Sequence, residues 1–171
     1  MTPDLPPALR LVATLPAPAS DRVILTYDER LMRRKRLVTE GGAGFLVDLP
    51  SVTNLDDYAG FELADGRLIA IAADDEDVLV VTGDLPRLAW HIGNRHTPCQ
   101  IEPARLLIRR DHVLEAMLRG LGATVTAVSE PFQPEGGAYG HGRTMGHDHA
   151  HAHDHGHEGE HGDGQPHRHG G

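Results

Sequence analysis

After Tyr139 the chain holds a single large apolar residue, Met145, so its last part has almost nothing to bury. A stretch of Gly, Ala, Asp, Glu and His cannot offset the entropy of ordering itself, and residues 136–171 are expected to be disordered when free of metal. The foldable part is then about 135 residues, enough for one domain or two small ones.

That tail is also where the imidazoles are. Ten of the 13 histidines lie from residue 141 onward, and His147, His149, His151, His153, His155 and His157 alternate without a break. Neutral imidazole is a good ligand for nickel, copper and zinc, so these six are candidate metal ligands, with His141, His161, His167 and His169 as weaker ones. Asp148, Asp154 and Glu158 can add oxygen donors. A tail without imposed geometry binds metals in the general affinity order, copper above nickel or zinc, and is not selective. A purification tag would be an uninterrupted histidine run, whereas this one is interleaved with acids and glycines.

A formal net charge of −9 argues against a nucleic-acid backbone as partner. One cysteine, Cys99, leaves no intramolecular disulfide and fits a reducing compartment. Met1–Arg10 carries Asp4, Pro6 and Pro7 and no long apolar run, so neither a signal peptide nor a membrane span is expected, and the expected location is the cytoplasm.

From Leu9 to about Ala73, short β-branched runs alternate with turn residues: Arg22–Tyr27, Arg34–Val38, Phe45–Leu49, Phe61–Leu63 and Leu68–Ala72. Gly41-Gly42 and Asp65-Gly66 are hairpin signals, and Asp-Gly suits a type I′ turn. Residues 1–74 therefore read as a small all-β domain. The acidic run Asp74–Asp77 reads as a solvated connection. Beyond it, in 75–135, the pattern changes. Val78–Thr82 is a strand. Asp84 with Pro86 starts a helix expected to reach about His96, because Pro98 forces Thr97 out of the α region. Short strands near Gln100–Glu102 and Leu106–Arg109 follow. Asp111 then caps a helix with Val113, Leu114, Met117, Leu118 and Leu121 on one face and Gly122 as its stop, and Thr124–Val128 is a last strand. The class is α+β: a β domain, a ferredoxin-like β-α-β-β-α-β domain and a His-rich tail.

Three histidines remain inside the fold. His96 continues the first helix's apolar stripe of Leu85, Leu88, Ala89 and Ile92, which by geometry favours an imidazole packed at the helix end and favoured there by the dipole. His91 faces another direction and suits packing. His112 begins the second helix opposite its apolar face and should meet solvent. Trp90 lies off the stripe, where a lone tryptophan suits an interface. Cys99 is a possible soft ligand, with a buried inert thiol as the commoner outcome.

The segment His91-Ile92-Gly93-Asn94-Arg95-His96-Thr97-Pro98, the helix Asp111-His112-Val113-Leu114-Glu115-Ala116-Met117-Leu118 and the His-rich tail together closely resemble the UreE family of urease accessory proteins. The resemblance is weak through the β half and strong from Trp90 to Gly122. It implies a non-enzymatic nickel chaperone that dimerises through its ferredoxin-like domain. His96 matches the family's essential metal ligand, shared across the dimer, and His112 is a secondary candidate. It further implies partners among the urease accessory proteins, including the urease GTPase and indirectly apo-urease, with the N-terminal domain contacting proteins. Some relatives carry a further histidine two positions before the one matching His112, and this chain has Arg110 there.

An enzyme is poorly supported. There is no G-x-x-x-x-G-K-[ST] loop and no H-E-x-x-H, and the scarce aromatic residues leave little for the proline pocket of an isomerase. The remaining rival is a cytoplasmic nickel, zinc or copper buffer acting through the tail alone.

Overall fold

A computed structural model describes residues 4–137. The expected disorder of the tail and its candidate ligands, His141 and His147 through His169, lie outside the described residues apart from Gly136 and Gly137.

The N-terminal half contains strands β1 (Ala8–Val12), β2 (Asp21–Leu25), β3 (Leu31–Val38), β4 (Gly44–Asn54), β5 (Gly60–Leu63) and β6 (Leu68–Ala73), with a 3-10 turn at Leu55–Asp57. A mixed sheet has the order β1-β5-β6-β2, in which only β2 and β6 run parallel, and β3 with β4 makes a separate hairpin. Period-two alternation sends Val23, Leu25, Leu37, Phe45, Val47, Phe61, Leu63 and Ile69 into one core, where Phe45 and Phe61 meet edge to face at 5.5 Å. β1 was not among the expected strands. Its residues are all at least partly exposed, so it carries no buried apolar alternation to announce it.

Both hairpin signals mark turns, with Gly42 at φ 91° and Gly66 at φ 86°. The Asp65-Gly66 turn is not type I′, which requires a positive φ at both central residues; among described non-glycine residues only His96 has one. Instead Gly66 N–H donates to Leu63 O and Leu63 N–H to Arg67 O, a three-residue loop closed by a left-handed glycine.

The C-terminal half follows as β7 (Asp75–Thr82), α1 (Leu85–Asn94), β8 (Gln100–Ile101), β9 (Leu106–Arg109), α2 (His112–Gly120) and β10 (Thr124–Pro131). Its antiparallel sheet has the order β10-β7-β9-β8. Leu88 and Ile92 of α1 and Leu114 and Leu118 of α2 close over Leu79, Val81, Leu106, Ile108 and Val125. Val113, expected on the buried stripe, is 55% exposed. At 100° per residue it sits roughly a quarter-turn from the line through Leu114, Leu118 and Leu121. Asp111 caps α2 as expected, its carboxylate accepting from Val113 N–H and Leu114 N–H, whereas Asp84 makes no side-chain cap bond to α1.

The acidic run is not a solvated connection. Asp75, Glu76 and Asp77 form the first turn-free part of β7, pairing with Pro131, Glu130 and Ser129. Asp75 and Asp77 stay exposed, and the Glu76 carboxylate accepts from Tyr27 N–H at 2.8 Å, so strand pairing tolerates the charges.

The sheet face away from the helices is also covered. Val78 and Leu107 pack with Tyr27, from the β2–β3 turn, and with Phe132, just after β10; the two rings meet edge-on at 5.5 Å. Beside them Arg30, 2% exposed, pairs with Asp56 at 2.6 Å and donates to Leu25 O and Phe132 O. The two halves thus share a small apolar joint with a satisfied buried guanidinium.

Candidate metal centre

α1 ends at Asn94, two residues short of the expected limit, and His96 lies outside it. Pro98 restricts Thr97, so the chain must leave the helix earlier, and His96 takes the left-handed position (φ 56°) that glycine often fills after a helix. Its N–H donates to Gly93 O at 2.9 Å. The consequence corrects the packed reading of this residue: His96 is exposed.

The imidazole stands at a cleft walled by Asp77, Thr97, Arg109, Arg110, Asp111 and Leu114. Topology brings these together. α1 returns antiparallel to β7, so its end lies near Asp77, and β9 delivers Arg109 opposite Val78 just before α2 begins. His112, the first residue of α2, is exposed at the same end of the domain, as its position on the helix required. Asp111 is held below the usual carboxylate range, chiefly by the Leu114 N–H and also by Val113 N–H, with His112 and Arg95 adding positive charge.

Other candidates separate from this place. Cys99 is half-buried among the residues under the helices, and burial, with Glu135 adding negative charge, pushes its thiol up to about 11. It therefore stays protonated in the metal-free chain. The His91 ring sits edge-on to Trp90 at 5.0 Å. Trp90 itself is 63% exposed. Among the described residues no group of three or more His, Cys, Asp or Glu side chains is placed to hold a metal ion. One copy of the fold thus presents His96 and His112 at one end, with further donors to come from elsewhere.

Sequence reading missed the guanidinium groups around His96. Arg109 pairs with Asp28 of the N-terminal half at 3.0 Å and lies 4.8 Å over the Tyr27 ring. Arg95 and Arg110 make no side-chain hydrogen bond or ion pair among the described residues. The sequence shows these charges, but not that the fold brings Arg109 and Arg110 to the same cleft as His96.

Two family models match the chain: the UreE urease accessory protein C-terminal domain over residues 76–169, and the UreE urease accessory protein N-terminal domain over residues 5–74. The chain belongs to the UreE family. A UreE protein of Cereibacter sphaeroides is 62% identical over 144 residues, covering 83% of this chain and 79% of that one. One from Rhodobacter capsulatus is 68% identical over 127 residues, covering 74% and 81%. A more distant UreE protein, from a Bradyrhizobium strain, is 50% identical over 125 residues, covering 71% and 60%. Each bears the name urease accessory protein, so membership places the chain with the accessory proteins of urease and not with its catalytic subunits. No described helix is long and apolar enough to cross a membrane.

Proposed function

We propose that this protein is a cytoplasmic nickel metallochaperone that binds Ni2+ and delivers it for assembly of the urease metallocentre. The observation that carries the reading is the exposed His96, held by a left-handed turn at the mouth of a cleft inside a chain of the UreE family. An exposed imidazole on a fixed backbone suits a site that must give its ion away.

A metal needs more donors than one copy places together, so the active form is a homodimer joined through the ferredoxin-like half, 75–135. Two copies of His96 meet across the axis, with His112 and the tail histidines as further donors. The exposed Trp90 and Val113 on the two helices are apolar surface suited to such an interface. The β domain, 1–74, contacts partners, among them the urease GTPase and through it apo-urease. The tail, 136–171, is a loading reservoir that also accepts Zn2+ or Cu2+. The reaction is binding and release, with no catalytic residue.

The test is calorimetric nickel titration of four full-length forms: the native chain, His96→Ala, a form with all tail histidines replaced by alanine, and their combination. The expected result is one tight site per dimer that survives loss of the tail histidines and disappears with His96→Ala. The density of tail imidazoles favours a buffer as second reading. If loss of the tail histidines removes all tight binding, the buffer reading replaces this one.

A further inference from the structure

The charges around His96 do not favour a cation by themselves. Asp77 and Asp111 line the cleft, but so do Arg109 and Arg110, and Arg95 is close enough for its charge to lower the Asp111 carboxyl. Among the described residues three guanidinium groups thus meet two carboxylates. One more negative charge would level the count, and the other half of the chain supplies it.

That charge is Asp28, in the turn between β2 and β3. β9 sets Arg109 opposite Val78, and period-two alternation sends its side chain off the sheet face where Val78 and Leu107 pack with Tyr27. There its guanidinium lies 4.8 Å over the Tyr27 ring, and Nη1 donates to Asp28 Oδ2 at 3.0 Å. The ring is a fixed seat, 6% exposed and edge-on to Phe132. The turn is fastened to the C-terminal half on either side of Asp28: Tyr27 N–H donates to the Glu76 carboxylate of β7 at 2.8 Å, and the Arg30 guanidinium donates to Phe132 O. The Asp28 and Arg109 side chains are themselves 75% and 41% exposed, so their pairing adds little to stability. Its effect falls on other charges within a Debye length, and a bound ion would be the nearest.

We infer that the N-terminal half governs how firmly the His96 cleft holds a cation, Asp28 cancelling the Arg109 charge that would otherwise oppose the ion. This rests on the delivery reading and adds its regulation. The cleft encloses about 460 Å³. At about 8 Å, the width of such a volume, an uncancelled unit charge in water opposes a divalent ion about fivefold. A partner's guanidinium or ammonium group that takes Asp28 from Arg109 loosens the ion by that factor. The joint between the halves is therefore a release control as well as a seam.

The test is calorimetric nickel titration of the full-length chain with its ten tail histidines replaced by alanine, at about 0.01 M ionic strength, where the Debye length is about 30 Å. Asp28→Asn should weaken binding about fivefold and Arg109→Gln should tighten it by a similar factor, with the two together near the parent. The differences should shrink in about 1 M salt, where the Debye length falls to about 3 Å. Asp48→Asn, which removes the same charge from β4 away from the cleft lining, is the control and should leave affinity unchanged. A merely structural role for the pair would weaken binding in both single variants. That result, no change in either, or an equal effect of the control overturns the proposal. A nickel site lost with His96→Ala but indifferent to Asp28 and Arg109 sinks this proposal alone, whereas a parent with no such site sinks the delivery reading and this proposal with it.

Discussion

Two single residues have measurable chemistry outside the metal question. Burial lifts the Cys99 thiol from 9.0 to about 11, so at pH 8 its thiolate fraction is about a hundredfold below that of an ordinary cysteine. Iodoacetamide should label it about a hundredfold more slowly than a small free thiol, read by mass spectrometry; labelling at the free rate would mean the thiol is not shielded. Arg30 is the other. Truncation to alanine leaves Phe132 O without the Arg30 donor, while Leu25 O keeps only the Asp74 N–H and Asp56 only Asn54, and the expected loss is about 3 kcal/mol in urea unfolding. Neither property is legible in the sequence. Arg30 follows the expected strand Arg22–Tyr27 in the charged run Asp28-Glu29-Arg30, and contacts to Asp56 and Phe132, far along the chain, hold it in place.

At the scale of elements, what the sequence shows depends on how local the cause is. The cap at Asp111, the stop at Gly122 and the stripe of Leu114 and Leu118 are set within a few residues, and they appear as expected. Strand β7 is different: four acids in a row read as a connection because the strand that accepts the last three, β10, lies some fifty residues away. The end of α1 falls between these cases. Pro98 signalled the stop correctly, but the turn needed to reach it consumes Arg95 and His96, and this moved the imidazole from a packed position to an exposed one. The α2 cap also gives a pH prediction. The Asp111 carboxyl is lowered in the folded chain, so its stabilisation is complete above its unfolded value near 3.8 and is lost as pH falls through the lower folded value. Protection factors of the first-turn amides of α2, exchange rates corrected for the intrinsic fall with pH, should drop below about pH 4 in the native chain. With Asp111→Ala that turn should show low protection at every pH, and a native-like profile in the variant would exclude the cap.

At the scale of the whole molecule, the delivery reading requires two copies. Light scattering should give a dimer for the native chain and a lighter species for Trp90→Glu, which puts a charge on the exposed face of α1; an unchanged mass would place the contact elsewhere. Within one copy, the two halves matched by separate family models are not separate in energy. Val78 and Leu107 belong to the C-terminal sheet and Tyr27 to the N-terminal half, yet with Phe132 they form one cluster, and Arg30 is bonded to backbone on both sides of it. Pulling the halves apart would wet that cluster and orphan a charge, so neither half has a low-energy way to melt first. Calorimetry should therefore show one endotherm whose van't Hoff and measured enthalpies agree, not two. A recombination experiment that swaps β domains between relatives would then turn on whether the incoming 26–30 turn still fits Val78, Leu107 and Phe132, because the joint between the halves is made there.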